Sequence, residues 1–227
     1  MERNFKVIPV DTETIRPWLL NMHYLKRMTS TSYRFGLVKD GEILGVVTYG
    51  NALPLSVVNS PFGERWGHLV QELNRLVISP NAPKNCASFL VSQSMKQLPK
   101  PTIVISYADA GKGHVGYIYQ ASNFIYTGES HTQKDWKLKS DPDRHSRTLM
   151  DEFAFEENRI EKLKQKYGND LIQIQRPPKH RYIFVHASKK AKKKMMKDAK
   201  FQVLPYPKGE TNRLCETCAI NTQLFMF

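Results

Sequence analysis

Hydrophobic and polar positions along the chain mark out a succession of short elements. Phe5 to Val10 reads as a strand. Thr14 to Arg27 carries Ile15, Trp18, Leu19 and Met22 at helical spacing, with Thr14 as cap and Pro17 in the first turn, where proline is tolerated. Arg34 to Gly50 predicts a hairpin: apolar residues on both sides flank Asp40-Gly41, a pair that favours the backbone of a two-residue turn. Asn51 to Gly67, rich in Pro, Asn, Ser and Gly, reads as a long loop. Val70 to Ile78 then predicts a mostly buried strand, Asn81 to Asn85 a turn and Ala87 to Gln97 an amphipathic helix. An apolar strand over Thr102 to Tyr107 leads into a loop with Gly111, Gly113 and Gly116. A short helix (Tyr117 to Ser122) and a strand (Phe124 to Gly128) follow. Beyond Gly128 the chain turns polar. Glu152 to Tyr167 predicts a charged helix, Arg181 to His186 a strand, Lys189 to Lys200 a basic helix and Pro205 to Lys208 a rigid turn. A hairpin followed by strand, helix, strand, helix and strand implies a mixed α/β sheet rather than an all-parallel one.

Charge changes that picture. The 227 residues include 34 Lys or Arg and 21 Asp or Glu, a net charge of +13. Nine basic residues and one acidic residue, Asp198, fall between Lys179 and Lys200. Such a run reads as a solvated helix face, a phosphate-binding element or an import signal. A polyanionic partner follows, nucleic acid first and an anionic membrane surface second. The 41% hydrophobic content excludes wholesale disorder. No apolar run is long enough for a membrane-spanning helix, and the N-terminus lacks a secretory layout. Three cysteines are too few for a disulfide framework and point to a reducing cytoplasm.

The segment Ser106 to Glu129 carries most of the candidate chemistry. Asp109 follows an apolar strand at its carboxyl end, where sheets of this kind hold ligands, though a turn or cap role fits it as well. His114 between glycines reads first as a loop residue, and Phe124 as core. His23-Tyr24 closes the first helix, where a histidine serves as dipole partner or packing residue unless the fold carries it to Asp109. His, carboxylate and phenolate together would make a hard, oxygen-rich site suited to iron. Glu72 and Arg75 are charges on a buried-looking strand; they pair with each other or orient a ligand, Arg75 having two donors for a carboxylate or phosphate. Ser88, Ser92 and Ser94 read as surface serines or as the lining of an anion-binding helix start. Cys215 and Cys218 have metal or redox spacing but no second pair of ligands nearby.

The order of elements ending in Ile118 to Phe124 (IYQASNF) resembles the GNAT acyltransferase fold. More closely, His23-Tyr24, Glu72 to Leu76 (ELNRL), Ser106 to Asp109 (SYAD), Gly113 to Gly128, Arg181-Tyr182 and Pro205 to Lys208 (PYPK) resemble the phage Mom DNA-modification proteins over roughly His23 to Lys208. The resemblance implies a GNAT-like mixed, largely antiparallel sheet flanked by helices, with a catalytic core over 1–128 and a basic C-terminal extension over 129–227 that packs on the core and contacts DNA. It implies a transferase adding a carbamoylmethyl (acetamido) group to the exocyclic amine of adenine in phage DNA, an anti-restriction device acting in the host cytoplasm. It implies an iron-dependent site, with His23, Tyr24, Asp109 and Tyr119 as metal or catalytic positions, and Arg75, Ser88 and Ser94 near the donor. Lys189, Lys190, Lys192, Lys193 and Lys194 would hold double-stranded DNA, and a flipped base would stack on Tyr119 or Tyr117.

One departure bears on the donor. The GNAT pyrophosphate loop is glycine-rich, whereas Ser79 to Ser88 (SPNAPKNCAS) has no glycine. Acetyl-CoA and an aminoacyl donor such as a charged tRNA therefore both stand, and a homodimer is compatible with either. The rival readings are a GNAT-fold N-acyltransferase acting on a small amine or protein, and a non-catalytic nucleic-acid-binding protein.

Overall fold

The computed structural model describes residues 4–51 and 53–209. They fall into two compact units, one made of residues up to Glu129 together with those from His180 onward, the other of Ser130–Lys179.

The first unit is built on one sheet of order β1-β2-β3-β4-β5-β9-β6. Its strands are β1 (Phe5–Pro9), β2 (Tyr33–Lys39), β3 (Glu42–Gly50), β4 (Val70–Ile78), β5 (Thr102–Asp109), β6 (Ile125–Glu129) and β9 (Lys179–His186). Strands β1 to β4 pair antiparallel in chain order. The β2–β3 turn is Asp40-Gly41, with φ of 50° and 87°, the left-handed pair that a two-residue hairpin requires. Between β4 and β5 the pairing is parallel and short. It joins Val70–Glu72 to Ile103–Ile105 and stops, and where the ladder ends the Ser106 hydroxyl donates to the Leu73 carbonyl at 3.2 Å. The remaining lengths of β4 and β5 do not pair with each other. The mixed, largely antiparallel sheet with helices on its faces is the fold class expected.

Alternation along the strands sends neighbouring side chains to opposite faces. On one face, Phe35, Leu37, Val47, Tyr49 and Leu76 pack with Leu90, Val91 and Met95 of α4 (Cys86–Gln97), joined by α5 (Tyr117–Ala121) through Tyr119. On the other, Val46 and Val77 meet Ile15 of α1 (Thr12–Pro17) and Leu19 of the π-helical turn that continues it (Trp18–Met22). Farther along that second face, Val70, Ile103, Ile105, Ile183 and Val185 pack with Phe62 and with Met195 of α8 (Lys189–Lys197). The segment from Asn51 to Gly67, expected as loop, holds two single turns, α2 (Leu55–Val58) and α3 (Glu64–Gly67), and Val58, Phe62 and Trp66 of this segment join the cluster.

The second unit has a two-stranded antiparallel sheet, β7 (Gln133–Leu138) with β8 (Leu171–Arg176), and two helices, α6 (Ser146–Met150) and α7 (Arg159–Tyr167). Its core is Leu138, Leu149, Leu163 and Leu171. The helix expected from Glu152 begins only at Arg159. Glu152 is instead drawn into pairs with Arg144 and Lys166 and into hydrogen bonds from the Tyr167 hydroxyl, and Asp151–Phe153 wind as a 3-10 turn.

The expected division at residue 128 also differs from what is observed. The extension over 129–227 is not one body. The apolar run Tyr182 to Val185 returns to the main sheet as β9 and pairs with β6, so 130–179 are an insertion between two paired strands. The basic helix ends at Lys197 rather than Lys200, because the Lys200 backbone N–H turns to the Pro61 carbonyl.

Candidate active site

The site begins with an irregularity in β4. Opposite Thr48 the strand carries two residues, Asn74 and Arg75, where its neighbour carries one. A bulge of this kind turns both side chains to the same side and redirects the strand beyond it. It is fixed by Thr48, which donates to the Asn74 Oδ1 at 2.6 Å, while the Asn74 amide donates to the Ser30 carbonyl at 3.0 Å. Val70 and Val77, seven residues apart, thereby share a face, and Glu72, Asn74 and Arg75 lie between them on it. On β5 the same face takes Tyr107 and Asp109, two and four residues beyond Ile105. On β9 it takes Arg181, two before Ile183. A polar band thus separates the apolar cluster under α1 from the one under α8.

His23 and Tyr24 reach this band from the end of the π turn. His23 caps that turn in an extended conformation and is only 4% exposed. Its ring stacks on Tyr24, centroids 4.6 Å apart. The Leu25 N–H donates to His23 Nδ1 at 3.1 Å, which leaves the ring proton on Nε2. Burial, with the Arg75 charge adding to it, pushes the His23 pKa down to about 3, so the ring is a neutral Nε2–H donor at physiological pH. Tyr24 is half-buried, and its hydroxyl is held above the ordinary phenol range by burial and by the Asp109 charge, against an opposite pull from Arg75. Asp109 ends β5 and accepts the Gly111 N–H on Oδ1 at 3.0 Å. Arg75 thus lies within electrostatic reach of His23 and Tyr24, and Asp109 within reach of Tyr24.

Tyr119 comes from the other side of the sheet. It belongs to the cluster under α4, is 2% exposed, and its hydroxyl bonds Ser106 at the point where β4 and β5 separate. Burial raises its pKa well above the phenol range; Tyr24 and Glu72 add to the shift through the gap between the strands. A side chain so enclosed has no face for a base to stack on. Tyr117, 54% exposed on the first turn of α5, has one. The α5 segment is pinned by Tyr182, whose hydroxyl donates to the Val115 carbonyl, and by Gln120, which donates to the carbonyls of Val115 and Pro207 at 3.0 and 3.2 Å. Gly116 is required there: at φ 78° a Cβ would lie 2.5 Å from the Tyr182 ring.

The two serines separate. Ser94 is fully buried, with its hydroxyl 2.6 Å from the Tyr49 hydroxyl and bonded to the Val91 carbonyl, so it belongs to the core and not to a donor pocket. The cause is helical phase: Ser94 shares its face of α4 with Leu90 and Val91. Ser88, on the first turn, is half-exposed and donates to the Asn85 carbonyl. In the glycine-free loop before α4, Asn85 adopts the left-handed conformation, φ 69°, that a glycine more often supplies. Its side chain makes no capping bond.

Lys189, Lys190, Lys192, Lys193 and Lys194 all project from α8 into solvent, while Met195 anchors the helix. Ser188 caps its N-terminus, accepting the Ala191 N–H. Cys215 and Cys218 lie outside the described residues.

An iron site can be tested against these side chains. A metal-bound histidine offers a lone pair from one ring nitrogen and donates from the other. His23 shows the reverse polarity, with Nδ1 facing an N–H donor and Nε2 protonated. Tyr119 bonds Ser106 from the far side of the sheet. Among the described residues no three His, Cys, Asp or Glu converge as metal ligands. As arranged, the expected set does not fit iron.

Residues 4–208 match the family model described as the Mom protein family. The chain belongs to that family. It is 28% identical over 209 residues to the methylcarbamoylase Mom of Escherichia phage Mu, an alignment covering 86% of this chain and 83% of the phage protein. Looser structural likenesses include an N-acetyltransferase from Staphylococcus aureus Mu50 (13% identity, 80% of this chain and 98% of that one, TM-score 0.43). A GNAT family acetyltransferase from Elizabethkingia anophelis with acetyl-CoA bound gives 12% identity, 82% and 100% coverage and the same TM-score, 0.43.

Beside the residues expected, this member of the Mom family brings Tyr107 and Arg181 to the same face. Their signal in the sequence was positional only: each stands two residues from an apolar strand residue of the same phase, Ile105 and Ile183. The bulge that gathers Glu72, Asn74 and Arg75 has no such signal, since nothing in ELNRL marks an extra residue.

Proposed function

We propose that this chain is a DNA-modifying transferase that adds a carbamoylmethyl group to the exocyclic amine of adenine, with Asp109 as the proton acceptor. The observation that carries the reading is that Tyr24 lies near both Asp109 and Arg75, and His23 near Arg75, in a chain of the Mom family. The 28% identity to a methylcarbamoylase supports the type of group transferred.

An amino group conjugated to a purine ring is a weak nucleophile, and its proton must leave as the new bond forms. Asp109, partly exposed at the strand end, takes that proton while the N6 nitrogen bonds to the donor carbon and the donor's leaving group departs with its bonding pair. His23 is neutral and fixed as an Nε2–H donor, the state in which an imidazole hydrogen-bonds the amide oxygen of the transferred group while N6 bonds to its methylene carbon. Arg75 supplies positive charge at the same place. Tyr117 offers the exposed ring on which a flipped base stacks. Attack at the carbonyl of a coenzyme A-linked or aminoacyl donor gives an N6-acyl group, so carbamoylmethyl transfer takes a donor whose leaving group sits on the methylene carbon. The reaction belongs in the host cytoplasm, where phage DNA and such donors meet.

Nucleoside mass spectrometry of DNA from cells expressing the protein tests the reading. The expected result is an adenosine adduct that disappears with Asp109→Ala. Unmodified DNA with duplex binding intact would favour the non-catalytic binding protein, and an acylated small amine or protein would favour the other rival.

A further inference from the structure

Arg181 stands in the polar band without a carboxylate. Its Nε donates to the Thr127 hydroxyl at 2.8 Å and its Nη1 to the Ser60 hydroxyl at 3.3 Å. Those two hydroxyls are themselves committed. Thr127 Oγ1 donates to the Arg181 carbonyl at 3.2 Å, and Ser60 Oγ donates to the Val57 carbonyl at 2.9 Å. Their oxygens can therefore only accept from the guanidinium, which is held through Nε and Nη1 by neutral groups. Among the described residues, Nη2 makes no hydrogen bond and no carboxylate lies within ion-pair distance of Arg181. A half-buried guanidinium held in place by neutral hydroxyls, with no carboxylate at ion-pair distance among the described residues, is arranged to receive an anion. A second cation lies along the same loop: the Lys200 N–H donates to the Pro61 carbonyl at 2.8 Å, and its Nζ would stand 3.3 Å from a Cβ at Gly63. The nearby acid, Asp198, is already engaged by the Trp66 indole N–H at 2.7 Å and by Arg65 at 3.8 Å.

We propose that Arg181, positioned by Ser60 and Thr127, grips a phosphodiester of the DNA strand next to the adenine being modified. The proposal rests on the functional reading above for the identity of the partner. Two placements favour the DNA strand over the donor as the source of the phosphate. Arg181 sits on β9, which neighbours β5 in the sheet, on the face of Tyr107 and Asp109, and its charge is felt at the Tyr107 hydroxyl, two residues from Asp109. The same strand also leads through Ala187 and Ser188 into the exposed lysines of α8, a second cationic element on the same stretch of chain.

The test uses the full-length protein and measures affinity for a fluorescent duplex oligonucleotide between low and moderate salt. Arg181→Met, which keeps bulk and removes charge, should make the log–log salt dependence shallower by about 0.9, the signature of one phosphate no longer neutralised. Arg181→Lys should keep the slope and lose affinity several-fold, because the charge survives and the fork does not. Thr127→Val, close to isosteric and uncharged, should do the same. An unchanged slope in Arg181→Met, with melting temperature and circular dichroism matching wild type, overturns the proposal. So does an unchanged slope accompanied by weaker binding of coenzyme A or of an aminoacyl donor, which assigns the phosphate to the donor. If the slope shifts as expected while wild-type protein leaves no adduct on DNA, the phosphate grip stands and the transferase reading falls.

Discussion

At the scale of single residues, His23 is defined by one backbone contact. The Leu25 N–H sets its tautomer, and burial keeps it neutral. Its folded-state pKa of about 3 lies below the ordinary 6.5, so between those values the unfolded chain binds a proton that the folded chain does not. Stability contributed by neutral His23 is fully present above about pH 6.5 and falls as pH drops toward 3, by up to about 1.4 kcal/mol per pH unit for one proton. Urea unfolding at pH 7 and pH 5 should show this slope in the wild type and a flatter one in His23→Gln; equal slopes would mean that His23 is accessible to protons. The adjacency of His23 and Tyr24 is visible in the sequence, but the tautomer is not, since it depends on a turn two residues later. Ser94 teaches the same lesson from the other direction. Ser94→Ala removes the partner of the enclosed Tyr49 hydroxyl and should cost about 1–3 kcal/mol in chemical denaturation, with the donor KM unchanged. A raised KM with unaltered stability would return Ser94 to the donor site.

At the scale of elements, the strands β1 to β5 and the helix α4 were legible because their periods are clean and Asp40-Gly41 announces its turn. The hairpin of β7 and β8 was not. Its strands, QKDWKL and LIQIQR, are polar at four and three of their six positions, and they pair across a long separation with the Arg176–Asp135 ion pair between them. Asp109 was legible from its place at a strand end, whereas the band it joins depends on a bulge and on a strand arriving from residue 179 onward. The basic helix was found by charge alone, and the structure adds its anchor: Met195 packs on the sheet, and the lysines stay outside. Changing Lys189, Lys190, Lys192, Lys193 and Lys194 to Gln should therefore leave the melting temperature near wild type and flatten the salt dependence of duplex binding, by about 0.9 for each phosphate no longer neutralised. Wild-type salt dependence in that variant would remove α8 from the interface.

At the scale of the whole molecule, the first unit is complete without the second. Glu129 and His180, which bracket the insertion, pair directly across β6 and β9. Replacing Ser130–Lys179 with a two-residue Asn-Gly turn should leave a folded first unit with cooperative unfolding, because that turn suits adjacent antiparallel strands. Loss of cooperativity would show that the insertion is needed to close the sheet. The net charge of +13 is likewise not spread evenly. It gathers on α8 and at Arg181, beside the band that carries Asp109 and Arg75. Affinity for a polyanion and chemistry on it are thus separable properties of neighbouring surfaces. The most direct measurement digests a duplex incubated with purified Asp109→Asn and weighs its nucleosides, alongside a binding assay on the same preparation. Wild-type duplex affinity with the adenosine adduct reduced at least about 100-fold is the expected result if Asp109 takes the proton; an adduct formed at the wild-type rate would contradict that role.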